Sequence, residues 1–278
     1  MSVQKKAGVI GWPIEQSRSP LIHGFWLSTY QINGAYEKFA VKPEELPEYI
    51  SNLKNNGLEG INLTIPHKET VLPLVDEITP TAKAIGAANT LYFADGQLIA
   101  DNTDSYGFLK HLGTSAPNWQ VTQPAMIIGA GGAARAIIHA LLSAGVPEIL
   151  ITNRTASRAE TLAKDFGPKL KPIPWQEKEQ HLNQTHLLVN STSLGMQGKP
   201  ELDLDISTLP AGAVVYDIVY VPLETKLLKA AKAQSLTPVD GLGMLLHQAV
   251  PGFELWFGVR PAVTEELYKL ITDDLEHT

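Results

Sequence analysis

The sequence predicts an α/β protein built on two sheets, a mixed one in the first hundred residues and a doubly wound parallel one beyond Pro124. Three observations carry this expectation. Short apolar runs alternate with helix-like segments through most of the chain. At residues 125–145, "AMIIGAGGAARAIIHALLSAG" reads as strand, glycine turn and helix. The tail, "LGMLLHQAVPGFELWFG" and "PAVTEELYKLITDDLEH", holds two amphipathic helices with no strand between them, and it is expected to return over the first part.

In chain order, "AGVIGW" is a short apolar strand. "SPLIHGFWLSTYQING" follows as a helix, with Ser19 as N-cap, Pro20 in the first helical position and Asn33-Gly34 as the stop. "YEKFAV" alternates as a strand. "PEELPEYISNLKNNG" reads as a second helix closed by Asn56-Gly57. "GINLTI" is the next strand, and "ANTLYF" and "QLIA" flank a hairpin at Ala94-Asp95-Gly96. Beyond the glycine turn, Gly145 stops the helix. Strands are expected at "EILITNR", "KPIPW", "HLLVNST", "AVVYDIV" and around Val239, with helices over 156–165 and 224–233. Strands separated by helices in this way imply a parallel sheet.

Composition narrows the function classes. The chain has 278 residues, 44% hydrophobic and 18% charged, which suits a soluble globular protein and not a disordered one. With 22 basic and 29 acidic residues the net charge is -7, which disfavours a global affinity for nucleic acid or anionic membrane. The absence of cysteine excludes disulfides, thiol catalysis and thiolate metal sites, and fits a cytoplasmic location. Lys5 and Lys6 precede an apolar run at 7–10 that is too short for a signal peptide, and no run approaches a membrane span. The eight histidines form no H-E-x-x-H pair or compact cluster, so no metal is expected.

Gly129, Ala130, Gly131, Gly132, Ala133 and Ala134 fit G-x-G-x-x-[GA] between a strand and a helix. Glycines there let backbone approach a pyrophosphate, and the helix N-terminus offers free N–H groups. The competing reading is a tight turn without ligand. At the end of the second strand, Asn153, Arg154 and Thr155 stand where an NAD-binding fold places an acidic residue. Arg154 and Arg158, four residues apart, suit a 2′-phosphate. The alternative is a solvated basic helix start, which the helix dipole disfavours.

"NLTIPHK" carries a strand to Pro66 and presents His67 and Lys68. Lys68 can donate a proton if a neighbour such as Asp104 holds it, but spacing alone favours a surface lysine on a helix, "HKETVLPLV". Asp104 taken alone reads as an N-cap. Ser17 and Ser19, in "SRSP", can cap a helix or bind a small anion such as a carboxylate. Asn89 and Gln248 are amides in apolar surroundings, where a satisfied structural role is usual. His67 reads as a packing or surface residue.

Together, "GVIGWPIEQSRSPLIH", "GINLTIPHKE", "AIGAANTL", "DNTDSYGF", "IIGAGGAARAI", "TNRTASRA", "NSTSLGM", "YDIVYVPLETKLL" and "GLGMLLHQAVPGFELW" resemble the shikimate dehydrogenase family over nearly the whole chain. The resemblance implies two domains with a cleft between them. One is a mixed-sheet substrate domain, 1–104 with 242–278. The other is a Rossmann-like NADP-binding domain, 105–241. It implies reversible NADPH-dependent reduction of 3-dehydroshikimate to shikimate, in a monomer or homodimer. On it, Lys68 and Asp104 are the catalytic pair, and Ser17 and Ser19 take the substrate carboxylate. Thr64, Asn89 and Gln248 hold hydroxyls or place the lysine, and Tyr220 borders the carboxylate end and the nicotinamide. Gly129, Ala130, Gly131, Gly132, Ala133, Asn153, Arg154, Thr155, Arg158, Thr192 and Ser193 serve the cofactor, with Gly241 and Met244 near the nicotinamide. Two positions depart from the family pattern: His67 stands where an aromatic residue is common, and Gly243 where proline is frequent.

Three alternatives are weighed. An NAD-preferring quinate/shikimate dehydrogenase is opposed by Arg154 and Arg158. A non-catalytic sensor of shikimate-type ligands would lack the Lys68–Asp104 pair. A Rossmann enzyme with another substrate leaves "SRSP", "NLTIPHK" and "NTD" unexplained.

Overall fold

A computed structural model describes residues 4–277. The chain divides into two compact units, Met1–Asp104 with Leu246–Thr278, and Ser105–Leu245. The division leaves Leu242, Gly243, Met244 and Leu245 with the second unit. No helix among the described residues is long and apolar enough to cross a membrane.

The first unit contains β1 (Lys5–Gly11), α1 (Ser19–Thr29), β2 (Gly34–Ala40), α2 (Leu46–Ser51), β3 (Gly60–Leu63), α3 (His67–Thr70), β4 (Glu77–Ile78), α4 (Pro80–Ile85), β5 (Thr90–Ala94) and β6 (Gln97–Asp101). The strands form one mixed sheet in the order β2-β1-β3-β5-β6-β4. β1 lies parallel to β2 and β3, while β5 runs antiparallel to both β3 and β6. The β5–β6 hairpin turns on Asp95 and Gly96, both at positive φ, as a two-residue loop of this kind requires. β3 is buried along its whole length and β1 along its last five residues. Their apolar runs, without alternation, belong to strands covered on both faces. Ile10, Leu53, Ile61, Leu63, Val71 and Leu91 form the centre of this core.

Three local expectations change here. Ser19 is the first residue of α1 and does not cap it; Arg18 is the N-cap residue, and the Ser17 hydroxyl accepts from the Ser19 N–H at 3.4 Å. The segment 43–57 is a 3₁₀ turn, Pro43–Glu45, then the short α2, then turns to Gly57. Pro47 explains the break, because its ring restrains the preceding residue and it lacks an N–H. Similarly α3 lasts one turn and gives way to a 3₁₀ turn, Leu72–Leu74, at Pro73.

The second unit contains α5 (Asp104–Ser115, from its second residue), β7 (Ala125–Ile128), α6 (Gly132–Ala144), β8 (Ile149–Thr152), α7 (Ala156–Phe166) and β9 (Leu170–Pro172). A 3₁₀ stretch, Trp175–Gln184, follows, then β10 (Leu187–Asn190), β11 (Val214–Asp217), α8 (Lys226–Ala233) and β12 (Thr237–Val239). All six strands are parallel, in the order β12-β11-β10-β7-β8-β9. The chain starts in the middle at β7, moves outward to β8 and β9, then returns to β10 on the other side. This doubly wound arrangement leaves a switch point at the C-terminal ends of β7 and β10, where such sheets bind ligands. Gly145 takes a left-handed conformation and its N–H closes α6 onto the Leu141 and Leu142 carbonyls.

The tail consists of α9 (Leu242–Phe257) and α10 (Glu265–Glu276). From Leu246 onward it packs within the first unit. Trp256 donates its indole N–H to the Leu91 carbonyl at 2.9 Å, and Trp26 donates to Ala262 at 2.9 Å. Leu267 and Ile271 of α10 are fully buried.

Candidate functional site

The first unit assembles a polar cluster at the strand ends. Lys68, in α3 just past β3, donates from Nζ to Asp104 Oδ2 at 2.5 Å. The lysine side chain is 30% exposed and the aspartate 12%, so the pair is accessible from the lysine side. Asp104 opens α5 and is not its cap; its N–H donates to Asn102 Oδ1 at 3.0 Å. A carboxylate in the first turn is favoured by the helix dipole.

Asn89 is the hub that the apolar surroundings conceal. Its amide Nδ2 donates to Asp104 Oδ1 at 2.9 Å and to Gln248 Oε1 at 3.1 Å, and its Oδ1 accepts from the Thr103 N–H at 2.8 Å. Both carboxylate oxygens of Asp104 are therefore engaged, one by Lys68 and the other by Asn89. The Thr103 hydroxyl donates to the Gln248 carbonyl at 2.8 Å, which ties the tail to the same cluster. Asn62 carries the network further, donating to the Asn89 carbonyl at 2.9 Å and accepting the Tyr36 hydroxyl at 2.6 Å. Burial holds the Tyr36 phenol well above its ordinary range, against a smaller opposing contribution from a hydrogen bond with Ser19. Tyr36 and the Lys68–Asp104 pair thus lie on one connected polar network.

Thr64 follows β3 and sits against Gly11 at the end of β1; a Cβ on Gly11 would come within 2.4 Å of its methyl group. His67 is buried and donates from Nε2 to the Val41 carbonyl at 2.7 Å, which makes it a packing residue. Sequence reasoning missed Tyr36, Asn62, Thr90, Asn102 and Thr103. The last two stand inside "DNTDSYGF", beside Asp104, and Asn62 interrupts an otherwise apolar strand.

In the second unit Gly129 follows β7 with φ of 108°, and a Cβ there would lie 2.7 Å from both Ser191 Oγ and Thr192 Cγ2. Only glycine fits this approach of the β7 and β10 loops. Gly131 and Gly132 are exposed with open space over their Cα atoms, and no side chain caps α6. That space, with the N–H groups of Gly131, Gly132 and Ala133, fits a dinucleotide pyrophosphate. Ala130 is half-buried against the core, and Ser193 is exposed.

Arg154 and Arg158 are exposed beyond β8, and neither belongs to an ion pair among the described residues. The first turn of α7 carries no acidic residue, and Thr155 stands at its N-cap without a side-chain bond. Asn153 donates to the Thr155 carbonyl at 2.9 Å. Two unpaired guanidiniums at a strand end fit a 2′-phosphate. Gly241 packs on the loop after β11, where a Cβ would meet the Ile218 carbonyl oxygen at 2.1 Å. Met244 is buried in the core of this unit, and Tyr220 is half-buried. Asn190 and Asp217, at the ends of β10 and β11, were not singled out from sequence.

The parallel sheet, its glycine turn and the unpaired arginines define a doubly wound dinucleotide-binding protein of the Rossmann class, joined to a mixed-sheet unit that holds a lysine–aspartate pair. Comparison with known proteins narrows the class. Residues 9–91 match the family described as "Shikimate dehydrogenase substrate binding domain", 114–196 "Shikimate / quinate 5-dehydrogenase", and 241–265 "Shikimate 5'-dehydrogenase C-terminal domain". A shikimate dehydrogenase (NADP(+)) of Paramagnetospirillum magneticum is 54% identical over 263 residues, 94% of this chain and 95% of the relative. A structure of shikimate 5-dehydrogenase from Thermus thermophilus in complex with NADP(H) and shikimate is 34% identical, with a TM-score of 0.85 and 99% of both chains covered. Quinate dehydrogenase from Corynebacterium glutamicum in complex with NAD is 30% identical, with a TM-score of 0.90, over 97% of this chain and 99% of its own. The chain belongs to the shikimate dehydrogenase family.

Proposed function

We propose that this protein is an NADP-dependent shikimate dehydrogenase that reversibly reduces 3-dehydroshikimate to shikimate. The observation that carries the reading is the Lys68–Asp104 pair, held at 2.5 Å with the second carboxylate oxygen engaged by Asn89. NADPH, when bound, supplies the hydride that forms the new C–H bond at the ketone carbon. As the carbonyl π electrons move to oxygen, Lys68 gives that oxygen a proton from Nζ. In the reverse direction the lysine, uncharged, takes the hydroxyl proton. Asp104 fixes the Nζ position, and Asn89 keeps the aspartate from rotating away. Ser17 and Ser19 bind the substrate carboxylate, and Thr64 and Gln248 bind ring hydroxyls. Tyr220, Gly241 and Met244 border the nicotinamide, the glycine turn cradles the pyrophosphate, and Thr192 and Ser193 also serve the cofactor.

Arg154 and Arg158 support NADPH over NADH, because the two cofactors differ by a 2′-phosphate of nearly two negative charges. With this reading go a cytoplasmic location, a monomeric or homodimeric state and no nucleic-acid partner. The cysteine-free composition and net charge of -7 support the first and the last.

The test offers purified protein shikimate or quinate with NADP or NAD, in all four combinations. Shikimate with NADP is expected to react fastest; faster reaction of quinate with NAD would overturn the assignment. Arg154→Ala is expected to weaken NADPH by about ten- to a hundredfold, one charge-assisted hydrogen bond, and to leave NADH almost unchanged. Equal losses for both cofactors would remove the phosphate contact.

A further inference from the structure

Asp217 ends β11 and is 1% exposed, yet none of the ion pairs among the described residues includes it. Its carboxylate takes three donors instead. Oδ1 accepts from Asn190 Nδ2 at 2.9 Å and from the Val219 N–H at 3.1 Å, and Oδ2 accepts the Thr225 hydroxyl at 2.7 Å. Burial pushes the carboxyl up to about 6, and the three hydrogen bonds pull in the other direction. A carboxylate buried without a cation is costly, so its partners define what it holds in place.

One partner leads to the β10 loop. Asn190 Oδ1 accepts from the Thr192 N–H at 3.1 Å and from its hydroxyl at 2.7 Å, while Nδ2 also donates to the Leu194 carbonyl at 3.1 Å. This is the segment that packs against Gly129. The other partners lead to the β11 loop. Val219 presents its carbonyl to the Gly241 N–H at 3.3 Å, and Thr225 caps α8 at the far end of the loop that carries Tyr220. The two loops also meet directly, through the Gln197 N–H and the Val221 carbonyl at 2.8 Å.

We propose that Asp217 is a positioning residue for the nicotinamide half of the dinucleotide site, holding the loops after β10 and β11 in one arrangement through Asn190, Val219 and Thr225. It rests on the NADP-dependent reading given above and touches neither cofactor nor substrate. The residue type matters because every partner is a donor. A carboxylate accepts from all three; an asparagine would turn an NH₂ group towards one of them.

The experiment titrates NADPH and adenosine 2′,5′-bisphosphate, which lacks the nicotinamide half, against wild type, Asp217→Asn, Thr225→Val and Thr225→Ser. Asp217→Asn and Thr225→Val are each expected to weaken NADPH about tenfold, the loss of one hydrogen bond to a charged group, and to leave the bisphosphate unchanged. Thr225→Ser keeps the hydroxyl and is expected to bind NADPH as wild type does. Should Asp217→Asn fail to fold, Thr225→Val carries the same expectation. Unchanged NADPH binding, or equal losses for both ligands, would overturn the positioning role. Wild type that binds neither ligand would instead sink the NADP reading, and this inference with it.

Discussion

Lys68 illustrates how much one side chain depends on what holds it. On sequence spacing it reads as a surface lysine; in the folded protein its ammonium group meets a carboxylate that Asn89 holds from the other side. Lys68→Ala is expected to lower kcat by about 10²–10⁴-fold, the usual contribution of general acid–base catalysis, with a much smaller effect on shikimate binding. Near wild-type turnover would return it to the surface. His23 poses the opposite case, a buried titratable group packed among aromatic rings. It stacks on Tyr36 at 3.9 Å between ring centroids, neither ring nitrogen has a hydrogen-bond partner among the described residues, and burial lowers its pKa to about 3. The folded value lies below the unfolded one, so His23 stays neutral in the fold while the unfolded chain takes up the proton first. Its contribution is complete above about pH 6.5 and is lost as pH falls towards 3, by up to about 1.4 kcal/mol per pH unit. Urea unfolding at about pH 7 and about pH 5 should show a smaller loss in His23→Phe than in wild type. Equal losses would mean that carboxylates alone set the acid response.

At the scale of elements, two glycines decide whether neighbouring segments can meet. Gly129 lets the β7 turn approach the β10 loop. Gly243 lies in α9 against His111, whose ring stands 2.1 Å from where a Cβ would be and whose Nδ1 is 2.7 Å from the Tyr216 hydroxyl. The imidazole occupies the space that a side chain at 243 would need. Gly243→Ala is expected to destabilise the protein by about 1–3 kcal/mol, the usual cost of overpacking. Combining it with His111→Ala should cost less than the two separate losses added together. Additive losses in thermal or urea unfolding would show that the ring is not the obstacle.

At the scale of the whole molecule, the first unit is discontinuous in sequence. Its sheet is built before residue 104, but Trp256, Leu267 and Ile271, which complete its core, arrive only in the tail. A chain stopped after Gly258 would lose α10, the Ala262 carbonyl that receives Trp26, and the Asp274 carboxylate that receives the Arg18 guanidinium at 2.9 Å. Burying a large aliphatic side chain contributes about 1.5–3 kcal/mol, so losing Leu267 and Ile271 together removes a substantial part of an ordinary domain's stability. The truncated chain is expected to melt at a lower temperature and to lose measurable shikimate binding. An unchanged melting temperature would mean that α10 is dispensable.

The sequence by itself determined the elements whose causes are local. Apolar runs marked the strands, Gly145 stopped a helix, Asp95-Gly96 closed a hairpin, and the glycine turn announced the parallel sheet. These follow from backbone sterics and from periodicity over a few residues. Proline blurred even that level: Pro47 and Pro73 shortened helices that the hydrophobic pattern extended. Only the tertiary structure decided that Asn89 should hold Asp104, that Asn190 and Asp217 should meet across two strands, and that His111 should claim the space beside Gly243. The Asn89–Gln248 bond joins residues 159 apart in sequence. No local pattern encodes such a pair. A buried polar group takes whichever partner folding brings within reach, because leaving it unpaired costs more than any local preference supplies.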